Sequence, residues 1–305
     1  MNIAIDPTGC APHIVDVHGQ AGVEWLEDLP VLVAELAQRW SLTIHPPFPN
    51  LSYNYVTPAT GPNGTPLVLK LGVPHAELWS EIDALRHFDG GGSVRLLDAD
   101  PDQGVLLLER VLPGEPLSML VVDEGRISAL VAVMQRLWRP LAPSHPFRTV
   151  ADLARGLDKL RQTFDGGYGP FPPESIERAQ ALFRELTAGQ AGILIHGDMN
   201  PGNVLRGERE PWLAIDPKGY AGHPLYDVAT FLNDPPPGLD KRALVRLQNR
   251  RVAMLAGALD ESRDAILAWA EAHAVLSGWW SYEDHGRGWE GAMALAALYR
   301  AMGDG

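Results

Sequence analysis

The chain has 305 residues, 46% of them apolar and 21% charged, with 31 Gly, 26 Pro and a single Cys. That length supports one large domain or two lobes of ordinary size, and the composition excludes a disordered, collagenous or coiled-coil chain. With 38 Asp and Glu against 25 Lys and Arg the formal charge is -13, which disfavours nucleic acid and anionic membrane as partners and suits a cationic small molecule or simply a solvated acidic surface. Cys10 alone can form neither an intrachain disulfide nor a thiolate-rich zinc site, which fits a reducing compartment. No stretch reaches the roughly 20 apolar residues of a membrane span, and the opening MNIAIDPTGC lacks the basic-then-apolar order of a secretory signal. A cytoplasmic location is expected.

In chain order, residues 21–42 place Val31, Leu32, Leu36 and Trp40 at helical spacing and predict an amphipathic helix. From Leu42 to Gly72, β-branched and aromatic residues interleaved with the turn cluster PATGPNGT predict three strands, the last two forming a hairpin. In the third, alternation sends Leu67, Leu69 and Leu71 to one face and Val68 with Lys70 to the other. A helix follows, with Pro74 in its first turn, Leu78, Ile82 and Leu85 as its buried stripe and Gly90 to Gly92 as its stop. At about 100° per residue Glu81 falls about 60° from Leu78 and leans inward, whereas Glu77 lies about 100° away. SVRLLDADPDQGVLLLERVLPG predicts two more strands, ending at a Pro-Gly break.

Beyond Gly114 the helical period dominates: residues 127–138, 152–164 and 173–186, then 241–302 after the Pro235–Pro237 loop. One loop-dense island interrupts it. A short apolar run, Ile193 to Ile195, delivers His196, Gly197 and Asp198 into a polar loop, with Asn203 following; a second run, Trp212 to Ile215, delivers Asp216. Two strands ending in carboxylates with an amide between them suit a hard cation that takes oxygen ligands. Mg2+ needs few protein ligands beside substrate phosphates, so one carboxylate and one amide suffice and Asp198 is free to act on a hydroxyl.

HGDMNPGN followed by IDPK resembles the catalytic and metal-binding loops of the aminoglycoside phosphotransferases, a branch of the protein-kinase-like fold. Protein kinases differ in carrying Arg before the catalytic Asp and DFG at the metal loop, where this chain has Gly197 and Asp216-Pro217-Lys218. WLEDLP, VLKLGVPHAE, EIDALR, VRLLDAD, LLLERVLPG, HGDMNPGNVL, EREPWLAIDPKGY, HPLYDVA and AVLSGWWSYED are similar, in order, to the streptomycin 6-kinase-like branch, the aminoglycoside/hydroxyurea resistance kinases, from about Trp25 to Asp284.

The resemblance implies an α+β, bilobal fold: an antiparallel-sheet lobe binding nucleotide over residues 1–112 and a mostly helical lobe with the catalytic loop, metal site and acceptor site over 113–305. It implies a phosphotransferase that uses ATP and Mg2+ on a hydroxyl of a small molecule, streptomycin or a related aminoglycoside. In that reading Lys70 neutralises the α and β phosphates and Glu81 holds Lys70; Glu109 to Val111 form the hinge that reads adenine through the main chain; Asp198 takes the hydroxyl proton; Asn203 and Asp216 hold Mg2+. His196 orders its loop by hydrogen bonding and Asp227 braces it. On the helix near the C-terminus, Ser277, Trp280, Glu283 and Asp284 recur at spacings of three and four, and the resemblance makes Trp280, Glu283 and Asp284 acceptor-binding residues that stack on a ring and pair with cations.

The chain departs from the expected pattern in two places. No GxGxxG separates the first strands; the turn reads PPFPNLSYNY, with Asn50 and Ser52 as its small polar residues, and prolines donate no amide to phosphate. Met199-Asn200 stands where Leu-His is expected. A metabolic sugar kinase of the same fold and a degenerate nucleotide-binding module are the alternatives these departures leave open.

Overall fold

The computed structural model describes residues 5–49, 51–189 and 192–304; Asn50 lies outside them. The chain divides into two units, one running up to Gly114 together with Gly207–Arg209, the other comprising Glu115–Arg206 and the chain from Glu210 onward.

The first unit opens with two helices, α1 (Ala11–His18) and α2 (Gln20–Arg39), separated at Gly19. α1 is additional to the helix that periodicity predicts. The buried stripe of α2 is Leu29, Val33 and Leu36, while Val31 is 60% exposed. At 100° per residue Val31 sits about 200° from Leu29, on the opposite side of the helix, so the expected stripe was rotated. Strands β1 (Thr43–Ile44), β2 (Tyr55–Thr60) and β3 (Pro66–Leu71) form as predicted, followed by α3 (Ala76–Phe88), β4 (Leu96–Asp100) and β5 (Val105–Glu109). They make one antiparallel sheet in the order β1-β2-β3-β5-β4.

Alternation along β3 decides what covers each face. Leu69 and Leu71, with Tyr55 and Val105, join Ile14, Leu29, Val33 and Leu36 in a single core under α1 and α2. Lys70, opposite Val56 and Leu106 in the register, points to the other face and meets α3, whose stripe is Leu78, Ile82 and Leu85 as expected. α3 begins two residues after Pro74, and its stop is Asp89 in the left-handed conformation (φ 46°), ahead of the glycines. At the β4–β5 turn Gly104 has φ 68° and a Cβ there would lie 2.0 Å from the Gly72 carbonyl oxygen, so no side chain is admissible.

β6 (Pro113–Pro116) leads into the second unit. Its helices are α4 (Asp123–Leu137), α5 (Val150–Ala154), α6 (Gly156–Thr163), α7 (Pro173–Leu186), α8 (Leu225–Leu232), α9 (Lys241–Leu259), α10 (Arg263–His285) and α11 (Trp289–Gly303). The periodic stretch over 152–164 is two helices, because Thr149 and Asp152 form a reciprocal capping box that starts α5 early and α6 begins again after Arg155. α10 is the central element, packed by α6, α7, α8, α9 and α11; its run from Trp269 to Leu276 is buried all round, as a helix enclosed by others must be. Between the helices lie β7 (Arg139–Pro140), β8 (Ile193–Ile195), the hairpin β9 (Val204–Gly207) and β10 (Trp212–Ala214), and β11 (Tyr220–Gly222), which pairs with β8. Among the described residues no helix is long and apolar enough to cross a membrane.

Candidate active site

In the first unit β3 and α3 place Lys70 and Glu81 against one another. Lys70 Nζ donates to both carboxylate oxygens, at 2.7 and 2.8 Å, with the two side chains 4% and 9% exposed. Glu77 is exposed, as its angular position requires. An ion pair removed this far from water is held by geometry, because desolvation offsets much of its attraction.

Glu109 ends β5. Its N–H donates to the Arg95 carbonyl at 3.1 Å, yet the Arg95 N–H returns to the Glu109 carboxylate, also at 3.1 Å, instead of the Glu109 carbonyl. The side chain thus takes the place of the main-chain oxygen in that pair. Arg209 holds the carboxylate there and also donates to the carbonyls of Gly90 (2.7 Å) and Ser93 (2.9 Å). Arg110 N–H is bonded to the Pro66 carbonyl, whereas the Val111 N–H makes no main-chain hydrogen bond among the described residues. The Glu109 carbonyl and the Val111 N–H are an acceptor and a donor two residues apart, the complement of an adenine edge. Removing the Arg209 donors strands three partly buried acceptors, so Arg209→Ala is expected to lower the unfolding free energy by about 1–3 kcal/mol in a denaturant titration.

In the second unit the loop after β8 is built around two buried groups. His196 Nε2 lies 2.8 Å from the Ile215 carbonyl and its Nδ1 accepts from Asp198 N–H at 3.2 Å, which fixes the orientation of the ring within the loop. Asp227, on α8, accepts from the N–H groups of His196 (3.0 Å) and Gly197 (2.7 Å) and from the Trp138 indole (3.0 Å). Burial pushes the Asp227 carboxyl above the usual carboxylate range, opposed by those three donors. One turn on, Thr230 accepts from Met199 N–H at 2.9 Å. Together these bonds carry out the ordering and bracing expected of His196 and Asp227.

Asp198 emerges half-buried from this frame. Oδ1 accepts from Asn200 Nδ2 at 3.1 Å and Oδ2 from Asn203 Nδ2 at 3.0 Å. Because Asn203 spends its amide nitrogen on Asp198, its Oδ1 is turned away from that carboxylate. The Asn203 carbonyl accepts from Ile215 N–H at 2.9 Å, which ties the end of one loop to the residue preceding Asp216. Asp216 itself is exposed and left-handed (φ 57°), a conformation that is rare outside Gly but tolerated best by Asn and Asp. An amide oxygen and a carboxylate are hard donors that fit Mg2+. No cluster of three or more His, Cys, Asp or Glu forms a metal cage among the described residues, and an ion that completes its shell from phosphate and water needs none.

The profile of the aminoglycoside/hydroxyurea antibiotic resistance kinases matches residues 39–285. The chain belongs to this family. It is 31% identical over 280 residues to streptomycin 6-kinase of Streptomyces glaucescens, covering 91% of each chain. To hydroxyurea phosphotransferase of Kitasatospora aureofaciens it is 35% identical over 273 residues, covering 87% of this chain and 77% of the relative. Among solved structures, an amicoumacin kinase in complex with AMP-PNP and Ca2+ superposes with a TM-score of 0.59 at 16% identity, covering 90% and 92% of the two chains. The fold is accordingly protein-kinase-like, and the chain is a small-molecule phosphotransferase of the aminoglycoside-kinase type.

Two features of the family's loop acquire a reason here. Gly197 has φ 85°, and a Cβ would come within 2.6 Å of the Tyr220 ring, so the Arg that protein kinases place before this Asp cannot be accommodated. In the Met199-Asn200 departure, Met199 is a fully buried core residue, and Asn200 folds back to accept from the N–H groups of Gly202 and Asn203. At the β1–β2 turn Ser52 is exposed.

On α10, Trp279 is 1% exposed among Phe164, Phe171 and Tyr282. Trp280 is half-buried, with its ring edge toward His273 at 6.4 Å. Glu283 and Asp284 are exposed in the last turns and make no hydrogen bond or ion pair with any described residue. The periodicity of α10 did not single out His273, which lies two turns before Trp280 on the same face and is 7% exposed. Burial pushes its imidazole from 6.5 down to about 4, against the charge of Asp198. An unfolded chain therefore binds a proton between those values that the native chain refuses, and stability falls as pH drops through that window. His223, depressed by burial, acts in the same sense. The unfolding free energy is expected to be lower at pH 5 than at pH 7 by about 2 kcal/mol from His273 alone, a difference that His273→Gln should remove in paired urea titrations.

Proposed function

We propose that this kinase transfers the γ-phosphate of ATP to a hydroxyl of a cationic small molecule, streptomycin or a related aminoglycoside, in a Mg2+-dependent reaction. The observation that carries the reading is the Asp198 carboxylate, half-buried, locked by the amides of Asn200 and Asn203, with Asn203 tied through its carbonyl to Ile215, the residue before Asp216.

Asp198 orients the acceptor hydroxyl and takes its proton, a contribution of typically 10²- to 10⁴-fold. Lys70, steadied by Glu81, neutralises the α and β phosphates, and the Glu109 carbonyl with the Val111 N–H reads the adenine edge. Asn203 Oδ1 and the Asp216 carboxylate would hold Mg2+, which would supply positive charge against the phosphate oxygens. Trp280 offers a ring face to the acceptor, with Glu283 and Asp284 available to its cationic groups. The net charge of -13 favours the approach of such an acceptor.

Incubation with Mg-ATP and a panel of streptomycin, other aminoglycosides, hydroxyurea, choline and neutral sugars tests this directly. The expected result is a mass gain of about 80 Da, one HPO3 group, on streptomycin or an aminoglycoside. A gain only on neutral sugars would assign a metabolic kinase. Nucleotide binding with no gain on any compound would assign a nucleotide-binding module.

A further inference from the structure

The strongest unassigned feature is the group of side chains that α8 and α10 bring up beside Asp198. α8 runs along the catalytic loop, bonded to residues 196, 197 and 199 through Asp227 and Thr230. It ends at Leu232, capped by Asn233, and Asp234 follows. From α10, His273 meets Asn233, whose Nδ2 lies 2.9 Å from His273 Nδ1 and 3.1 Å from the Ala270 carbonyl. An amide nitrogen only donates, so His273 Nδ1 accepts and the imidazole proton resides on Nε2. Tyr226 and Trp280 hold the ring edge-on at 5.0 and 6.4 Å. The titratable groups facing it are Asp198 from the loop and Tyr226 from α8; Asn233 and Trp280 carry no charge. Burial pushes the Asp234 carboxyl above the usual carboxylate range, and the Asp198 charge adds to that while it opposes the effect of burial on His273. Asn233 Oδ1 is buried with no partner among the described residues. An apolar residue would leave no orphaned oxygen, but neither would it reach the imidazole and the Ala270 carbonyl together, so Asn at 233 serves the imidazole as well as the join between α8 and α10.

We propose that His273 and Asp234 form the acceptor-binding wall beside Asp198, with His273 Nε2–H donating to an acceptor oxygen adjoining the reacting hydroxyl and Asp234 pairing with a guanidinium or ammonium group of the same molecule. The proposal rests on Asp198 as the base and narrows the acceptor to a cationic molecule with two neighbouring oxygens, such as a vicinal diol. Asn233 is a positioning residue that sets the tautomer of His273.

The test is steady-state kinetics on the compound that the wild type phosphorylates. His273→Ala is expected to raise the acceptor KM at least tenfold with the ATP KM unmoved, and His273→Gln, which can still donate, to recover part of it. Asn233→Asp presents an acceptor to Nδ1, moves the proton off Nε2, and should match His273→Ala although the ring remains. Asp234→Asn should raise KM for cationic acceptors and leave a neutral one unchanged. An acceptor KM that stays at the wild-type value in His273→Ala and Asn233→Asp, or that rises in step with the ATP KM, overturns the proposal. If the wild type phosphorylates no compound of the panel, the phosphotransfer reading fails, and the 15N spectrum of histidine-labelled protein decides the present one. A neutral Nε2–H ring whose signal a panel compound displaces upholds it; an Nδ1–H or cationic ring, or a signal that no compound displaces, overturns it.

Discussion

Asp198→Asn is expected to reduce phosphoryl transfer by 10²-fold to 10⁴-fold or more while Mg-ATP affinity stays within about twofold. The amide has the shape of the carboxylate but cannot accept a proton, so the loss isolates that step. It has one structural consequence that the measurement must separate. Both carboxylate oxygens accept amide hydrogens, from Asn200 and from Asn203. An amide at 198 has a single oxygen, so its own NH2 confronts one of those donors at the cost of a hydrogen bond, about 1 kcal/mol. If it confronts Asn203, a residue assigned to Mg2+ is displaced and the Mg2+ concentration for half-maximal nucleotide binding rises. Unchanged Mg2+ dependence together with lost transfer assigns the effect to the proton. Wild-type turnover would remove Asp198 from the mechanism.

The sequence made legible those features in which one residue's position follows from its immediate neighbours. Alternation on β3 put Lys70 opposite Leu69 and Leu71, and the angle along α3 turned Glu81 inward and Glu77 outward; both hold, because period two and period 3.6 are fixed by the backbone. The stripe on α2 was misplaced because almost every turn of that helix offers apolar residues, and only the sheet beneath it selects Leu29, Val33 and Leu36 over Val31. Arg209 could not have been found locally. It lies 100 residues from Glu109, and its three acceptors are assembled by tertiary structure alone. The same holds for His273, whose partner Asn233 sits 40 residues away. Its spacing of seven from Trp280 was a usable signal, but on a helix buried all round such a spacing does not distinguish a site from a core.

The Lys70–Glu81 pair separates stability from function because both roles rest on the same atoms. Removing one partner leaves a charge in a site that is 4% and 9% exposed, so Lys70→Met and Glu81→Leu singly are each expected to lower the unfolding free energy by about 3–5 kcal/mol. Against a total of about 5–15 kcal/mol for an ordinary domain, either could leave the first unit marginally folded. The double variant removes both charges and replaces them with apolar side chains beside Val56, Leu106, Leu78 and Ile82, so it should regain most of the lost stability or exceed the wild type. It should not regain transfer, since nothing then neutralises the phosphates. A double-mutant cycle by urea denaturation, with turnover measured on the same four proteins, checks both halves. Recovery of activity along with stability would show that the pair serves only to hold β3 against α3. Failure of the double variant to recover stability would show that Lys70 and Glu81 stabilise the fold through partners other than each other.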